Sequence, residues 1–390
     1  MQIKKRVANL LKYNRIIYSF YYYSMGGLIN FIKLFIKTDD KLILFNSYAG
    51  RKYDDSPKEI FERIQKDRRF IDYKFVWAFH DPYKFKVEDA TIIRTDGIKY
   101  FLTALKARVW ITNSSVERGL SFKNKETLYI NTWHGSPIKT MGSDIVENNS
   151  SFKSKAKNNI DYMNAQSRFE ADIFSSCFGI LRDHFLEVGL PRNDILSCYS
   201  EEMRETIRNK LSIPSNKTVI LYCPTFREFE KDEGLGVVMA PPMNLTIWEK
   251  ELGNRFVLLF RAHYEVSKAL EIKDSDFARN MTDYPSLNEL MIASDVLISD
   301  YSSIFFDYSI MDKPMIHFTY DYDEYKSKRG MYFDIREYID GSDNESDIIT
   351  MLKNMDYDDI SKTKKFRDTY VEYYGQATEK TVDFIARQLQ

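Results

Sequence analysis

Lys41-Leu42-Ile43-Leu44-Phe45-Asn46 is a short apolar run that breaks into Ser47-Tyr48-Ala49-Gly50-Arg51, and soon afterwards Ser56-Pro57-Lys58-Glu59 opens a helical pattern. The run has the length of one buried strand. Ser as N-cap, Pro at the first helical position and Glu three residues after the cap form a helix-start signal. Strand, loop and helix make one βα unit. The same alternation recurs outward from it, with candidate strands at Tyr73–Ala78, Ala107–Thr112, Thr127–Asn131, Thr218–Tyr222, Arg255–Arg261, Val296–Ser299 and Met315–Phe318. Repeated alternation of this kind predicts an α/β fold with mostly parallel sheets. A charged helical stretch, Ser200–Leu211, closed by Ile213-Pro214-Ser215-Asn216, separates the strands into two sets. We therefore expect Rossmann-like α/β domains over residues 39–199 and 217–390, a linker over 200–216, and a cleft between the domains.

Composition agrees with that plan. A chain of 390 residues with 44% hydrophobic and 29% charged side chains can bury two cores and is neither fibrous nor polytopic. The three cysteines, Cys177, Cys198 and Cys223, form no C-x-x-C pair and are odd in number. They support neither a disulfide framework nor a zinc site, and read as buried thiols in a reducing compartment.

The net charge of −1 hides an asymmetry. Residues 1–37 carry seven cations (Lys4, Lys5, Arg6, Lys12, Arg15, Lys33, Lys37) and no acid, which leaves 49 basic against 57 acidic residues in the remainder. On a helical wheel Ile3, Val7, Leu10, Leu11, Ile17, Tyr18 and Tyr21 share one face. The longest uncharged run, Ile16 to Ile32, is 17 residues and holds two glycines, an asparagine and several tyrosines. That falls short of the ~20 apolar residues of a bilayer span. Residues 1–38 therefore read as amphipathic helices lying at a membrane surface, with a transmembrane anchor and a soluble helical hairpin as the alternatives. No small-residue cleavage site follows, so a secretory signal peptide is not expected. A basic head on an acidic body does not suggest nucleic acid as partner.

Ligands of open α/β sheets bind beyond the carboxyl ends of the strands. The marked loops there are Asn46 to Arg51, Thr132-Trp133-His134-Gly135-Ser136-Pro137, Cys223-Pro224-Thr225-Phe226-Arg227, Arg261-Ala262-His263, and Asp300-Tyr301-Ser302-Ser303. Of the five histidines, His134 and His263 each end a strand, one in each half. His80 has a weaker claim, and His184 and His317 read as structural. Asp300-Tyr301-Ser302-Ser303 reads as helix capping or as a phosphate site at a helix N-terminus. Arg227 and Arg261 suit either surface carboxylates or a ligand. The chain lacks G-x-G-x-x-G, P-loop, H-E-x-x-H and G-x-S-x-G motifs, which disfavours nicotinamide enzymes, ATPases, zinc proteases and common hydrolases.

Taken together these loops resemble those of the CDP-glycerol glycerophosphotransferase family, the teichoic-acid primases and polymerases of Gram-positive bacteria. The stretches that carry the resemblance are Asn131 to Lys139, Gly189-Leu190-Pro191-Arg192-Asn193-Asp194, Leu221 to Arg227, Arg261 to His263, and Ser299 to Ser303 continuing through Phe305-Phe306-Asp307-Tyr308, with Asn46 to Pro57 similar to the family's opening loop. The resemblance implies a GT-B-like fold on a monotopic membrane base. It also implies attack by an acceptor hydroxyl on the β-phosphate of CDP-glycerol, expelling CMP. His134 then corresponds to the general base, a role that suits an imidazole near neutral pH. His263, Ser302 and Ser303 correspond to the phosphate-binding set and Arg227 to a contributor, with Asp300 orienting the serine loop. Asn46, Thr225, Gly135, Ser136 and Arg261 are further candidate contacts on the same motifs.

No cofactor is required on this reading, and Mg²⁺ would be incidental. The partners it implies are a CDP-glycerol or CDP-ribitol donor, an undecaprenyl-diphosphate-linked teichoic-acid acceptor and the cytoplasmic face of the cell membrane. Only about 40 residues precede the first strand, so we expect a minimal catalytic unit. A ribitol-phosphate transferase is one alternative; a GT-B nucleotide-sugar glycosyltransferase or epimerase is another.

Overall fold

The computed structural model describes residues 14–145, 158–225, 227, 242–262 and 274–390. They form two compact units. Unit 1 takes the chain up to His134, then Gly142–Arg192 and Gln376–Gln390; unit 2 takes Gly135–Met141 and Asn193–Gly375.

Unit 1 is built on strands β1 (Asp39–Asn46), β2 (Lys74–Phe79), β3 (Thr91–Arg94), β4 (Ala107–Thr112), β5 (Leu128–Asn131), β6 (Tyr162–Ala165) and β7 (Phe185–Glu187), with helices α1 (Arg15–Lys33), α2 (Asp55–Ile64), α3 (Ile98–Lys106) and α4 (Arg168–Phe178). The strands are parallel in the order β3-β2-β1-β4-β5-β6-β7. Alternate residues of β1 serve different cores. Leu42 and Leu44 join Tyr100, Ala104 and Ile29, whereas Ile43 and Phe45 join Ile60, Phe61 and Ile64 of α2. A strand covered on both faces must be apolar throughout, which is why β1 appears in the sequence as an unbroken run.

Unit 2 holds β8 (Thr218–Cys223), β9 (Phe256–Phe260), β10 (Ala278–Asn280), β11 (Val296–Ser299), β12 (Met315–Phe318) and β13 (Gly341–Ser342) in the order β10-β9-β8-β11-β12-β13, again all parallel. Its helices are α5 (Glu201–Lys210), α6 (Leu245–Leu252), α7 (Leu287–Ala293), α8 (Ile304–Ser309), α9 (Tyr322–Arg329), α10 (Glu345–Asn354) and α11 (Ser361–Tyr370). The last helix, α12 (Ala377–Gln388), belongs to unit 1, where Val382, Ile385 and Ala386 enter the α2 core.

The parallel α/β architecture agrees with the expectation, and each of the eight expected strands is present within a residue or two. Several details differ. The expected linker at 200–216 is a working part of unit 2: Arg204 and Arg208 of α5 both pair with Asp295, and Lys210 pairs with Glu289. The chain changes unit at Arg192/Asn193 instead and returns at Gln376, because α12 carries an apolar face that unit 1 buries. Helix α2 starts at Asp55, so Ser56 is inside the first turn rather than capping it. Cys198 is exposed, unlike Cys177 and Cys223, since it sits on the turn between Ser197 and α5.

The head also differs from its expected orientation. Ile3, Val7, Leu10 and Leu11 lie outside the described residues. Tyr18, expected on a lipid-facing stripe, is fully buried against unit 1, where its hydroxyl donates to the Gly119 carbonyl at 3.0 Å. Asn30 donates to the Ser121 carbonyl at 2.9 Å on the same side of α1. The face left in solvent is a different apolar row: Ile16, Phe20, Tyr23, Phe31, and then Leu34 and Phe35 just past the helix, with Phe20, Leu34 and Phe35 each 76% exposed. Among the described residues no helix is long and apolar enough to cross a membrane.

Candidate active site

In each sheet the strand order reverses once, between β1 and β4 in unit 1 and between β8 and β11 in unit 2. Chains leaving the carboxyl ends of such neighbours diverge to opposite faces and open a crevice for a ligand. Tyr48 and Asn113 follow β1 and β4, and Thr225 and Asp300 follow β8 and β11, so they lie at those two points.

In unit 1 the loop after β5 carries His134, whose Nδ1 lies 2.7 Å from the Asn113 carbonyl just past β4. A carbonyl can only accept, so Nδ1 holds the proton and Nε2 presents a lone pair. The ring stacks on Trp133 with centroids 4.3 Å apart, and Trp133 is wedged against Phe178 at 4.6 Å. The residue is exposed, yet Trp133 and the Asn113 carbonyl pack against its ring. That partial desolvation lowers its pKa below 6.5, outweighing the opposing pull of the Asn113 carbonyl and of Asp55. The ring is a free base at neutral pH.

Around it lies a cluster that motif reading missed. The Tyr48 N–H donates to Asn113 Oδ1 at 2.7 Å, and the Tyr48 hydroxyl donates to Asp55 at 2.6 Å. Asp55 and Arg192, 2% and 10% exposed in their side chains, form a buried ion pair at 3.3 Å. Tyr48, Ala49, Asp55 and Trp133 are all non-glycine residues with φ between 47° and 65°. Left-handed backbone of this kind persists only where surrounding bonds over-determine it, and it concentrates at functional loops. Positive φ has no signature in a single sequence, and Asp55 lies just before the Ser56 that the helix-start signal takes as N-cap, so nothing there marks it.

In unit 2 Asp300, 1% exposed, is the organiser. Its carboxylate accepts the Thr225 N–H at 2.9 Å, the Tyr301 N–H at 2.7 Å and Arg227 Nη1 at 2.9 Å, tying the β8 and β11 loops together. Ser303 starts α8 yet makes no side-chain cap bond, whereas Ser302 Oγ accepts the Ile304 N–H at 3.3 Å. The capping alternative thus accounts for Ser302 only. Gly135 lies directly over this turn: a Cβ there would stand 2.8 Å from Ser303 Cβ, so only glycine fits. The segment after Gly135 is clamped within the same unit by an antiparallel bridge from Lys139 to Met331 and by the Tyr332 N–H donating to the Ile138 carbonyl at 2.8 Å. Ser136 is buried in that segment.

Two expected ligand contacts need correction. Asn46 is 1% exposed and its amide donates to the Ala78 carbonyl at 2.9 Å, inside the sheet. Arg227 is also 1% exposed; Asp321 accepts from its Nε at 2.6 Å and its Nη2 at 2.9 Å, and Tyr301, Tyr320 and Tyr325 surround the guanidinium at about 5 Å. Both side chains are spent on the protein and act as supports. Asp321, which completes the Arg227 cage, carries no motif of its own. Arg261 is half-buried and donates to the Tyr284 carbonyl at 2.7 Å. The Thr225 hydroxyl is buried with no partner among the described residues. His263 lies outside the described residues. Of the remaining histidines, His80 is exposed and His317 is buried beside Thr319, its pKa pushed down to about 4 by desolvation.

Residues 28–387 match the protein family described as CDP-Glycerol:Poly(glycerophosphate) glycerophosphotransferase. A teichoic acid poly(glycerol phosphate) polymerase of Staphylococcus epidermidis is 36% identical over 315 residues, which are 77% of this chain and 43% of that protein. A teichoic acid glycerol-phosphate transferase of Staphylococcus aureus is 31% identical over 83% of this chain and 86% of its own length. This chain therefore spans less than half of the first relative and most of the second. A solved structure of the wall teichoic acid polymerase TagF, a variant soaked with CDPG, has a TM-score of 0.83 at 31% identity and covers 93% of both chains.

Proposed function

The chain belongs to the CDP-glycerol:poly(glycerophosphate) glycerophosphotransferase family, and from that premise we propose that it transfers glycerol phosphate from CDP-glycerol to a hydroxyl of a lipid-linked teichoic-acid acceptor. The observation that carries the reading is the geometry of His134: Nδ1 is tied to the Asn113 carbonyl, so Nε2 presents the lone pair a base needs, and desolvation holds the ring's pKa down. In the reaction Nε2 takes the proton of the acceptor hydroxyl as its oxygen bonds to the β-phosphorus. The bond from that phosphorus to the CMP oxygen breaks, and CMP leaves with the electron pair. Donors must meet the charge that develops there. Ser303, whose hydroxyl is not used in capping, Ser302 and His263 are assigned that task in unit 2. Asp300 and Arg227 hold the loop that presents the serines.

With that acceptor we assign the enzyme to the cytoplasmic face of the membrane. Support comes from the exposed row Ile16, Phe20, Tyr23, Phe31, Leu34 and Phe35, and from the seven cations and absence of acids in the sequence of residues 1–37, of which Lys4, Lys5, Arg6 and Lys12 lie outside the described residues. Apolar side chains would enter the lipid boundary while the cations meet anionic headgroups. Glycerol is preferred over ribitol because both relatives above are named for glycerol phosphate. A donor screen tests the whole reading. CMP should form from CDP-glycerol in the presence of a lipid-linked acceptor; release of UDP from UDP-sugars, with CDP-glycerol inert, would overturn it, and a preference for CDP-ribitol would change the donor alone.

A further inference from the structure

We infer that Asp55 is a positioning residue for this reaction, acting through Tyr48 and Asn113 to fix the orientation and tautomer of the His134 ring. The inference rests on the reading of His134 as the base. The connection is a continuous series of short bonds within unit 1. Arg192 Nη1 reaches Asp55 at 3.3 Å, and Asp55 Oδ2 accepts the Tyr48 hydroxyl at 2.6 Å. The Tyr48 N–H donates to Asn113 Oδ1 at 2.7 Å, and the Asn113 carbonyl accepts His134 Nδ1–H at 2.7 Å. Asn113 is fully buried, so its carbonyl cannot turn to another donor without breaking the bond to Tyr48.

The simpler explanation, that Asp55 merely caps α2, does not account for this geometry. The capping position is Asp54, which makes no side-chain cap bond. Asp55 takes one helical N–H, that of Ser56 at 2.6 Å, and turns its other oxygen to Tyr48. It does so at φ 65°, with Tyr48 at 47° and Ala49 at 56° on the loop it holds. Left-handed backbone at non-glycine residues is costly and persists only where its surroundings hold it. The strained loop is what brings the Tyr48 N–H onto Asn113. Among the described residues of unit 1, the charges acting on His134 are Asp55, which favours the imidazolium, and Arg192, which opposes it. The Tyr48 ring at 5.8 Å stays neutral, because its burial beside Asp55 raises the phenol pKa.

Histidine-labelled NMR of the full chain tests this, since there are only five signals and His134→Gln assigns the one at issue. Asp55→Asn should shift the His134 titration midpoint downward and lower kcat by roughly 10–100-fold, with KM for CDP-glycerol within about twofold. Asp55→Glu, which keeps the charge, should restore the midpoint. Tyr48→Phe leaves the Asp55–Arg192 pair intact and should lower kcat without moving the midpoint. An unmoved midpoint together with an unchanged kcat in Asp55→Asn would overturn the inference. Should that variant not fold, wild-type kcat in Tyr48→Phe would overturn it equally. Retention of full activity by His134→Gln is a separate outcome that removes the base assignment on which the inference stands.

Discussion

Replacing His134 with Gln keeps a neutral polar side chain and deletes the ring lone pair. CMP release should fall by about 10²–10⁴-fold while calorimetric CDP-glycerol affinity stays near the parent value, because the proposed base acts on the acceptor. The acid limb of the rate profile follows with a definite sign. Desolvation lowers the His134 pKa, so the active neutral ring survives below pH 6.5 and rate is lost only at lower pH. A limb centred above 6.5 would contradict that environment. Ser303 and Arg227 offer a contrast that activity alone does not resolve. Ser303→Ala should weaken CDP-glycerol binding by about 1.5–3 kcal/mol at unchanged melting temperature, since the hydroxyl supports no cap. Arg227→Met leaves Asp300 and Asp321 as unpaired buried carboxylates, a loss of about 3–5 kcal/mol. Scanning calorimetry should then show unit 2 melting roughly 6–20 °C lower. His134 was legible in the sequence because a histidine at a strand end beside glycine is unusual. Asp55 and Asp321 were not, because a carboxylate's partners are set by loop geometry that one sequence does not encode visibly.

At the scale of elements, what could be read depended on burial. The central strands β1, β4, β8 and β11 are covered on both faces and stand out as apolar runs, and these are the strands that flank the two switch points. β3, β7, β10 and β13 are short and only partly buried, and β6 includes Asn164, so none of the five carries an unbroken apolar run. Helix α1 shows the converse difficulty. It is apolar on two sides, one packed on unit 1 through Tyr18 and Ile29 and one left in solvent, and a helical wheel alone cannot say which side the protein takes. Deleting the head would therefore uncover core surface as well as remove cations. Substitutions on the outer row separate the two effects. Phe20→Ser combined with Phe35→Ser should leave the melting temperature unchanged and shift the protein from the floating to the soluble fraction with phosphatidylglycerol vesicles. Binding of the parent should weaken with salt, as charge screening requires. Undiminished flotation of the double variant would show that this row is not the attachment surface.

At the scale of the whole chain, the return of α12 to unit 1 makes the last fifteen residues essential to a fold begun more than three hundred residues earlier. Arg63 of α2 grips Glu379 with bonds of 2.5 and 2.7 Å, and Asn164 at the end of β6 donates to Thr381 at 2.9 Å. Val382 and Ile385, fully buried against α2, contribute about 1.5–3 kcal/mol each. Removing residues 376–390 takes away all of these and leaves Ile60, Phe61 and Ile64 facing water. The sum is a large fraction of the roughly 5–15 kcal/mol that stabilises a domain, so unit 1 should lose its fold. Unit 2 has its own sheet and core and loses none of these contacts, so the chain should no longer behave as two-state. Hydrogen exchange should show amides of β1, β2 and β4 losing protection while β8, β9 and β11 keep theirs. Transfer should vanish with the proposed base His134, yet CMP should still bind, because Thr225, Ser302 and Ser303, the proposed donor contacts, all lie in the surviving unit. The milder Ile385→Ala should cost about 2–5 kcal/mol and give the same pattern on heating. Equal loss of protection in both sheets would mean that unit 2 does not fold alone, and loss of CMP binding with unit 2 intact would move part of the donor site into unit 1.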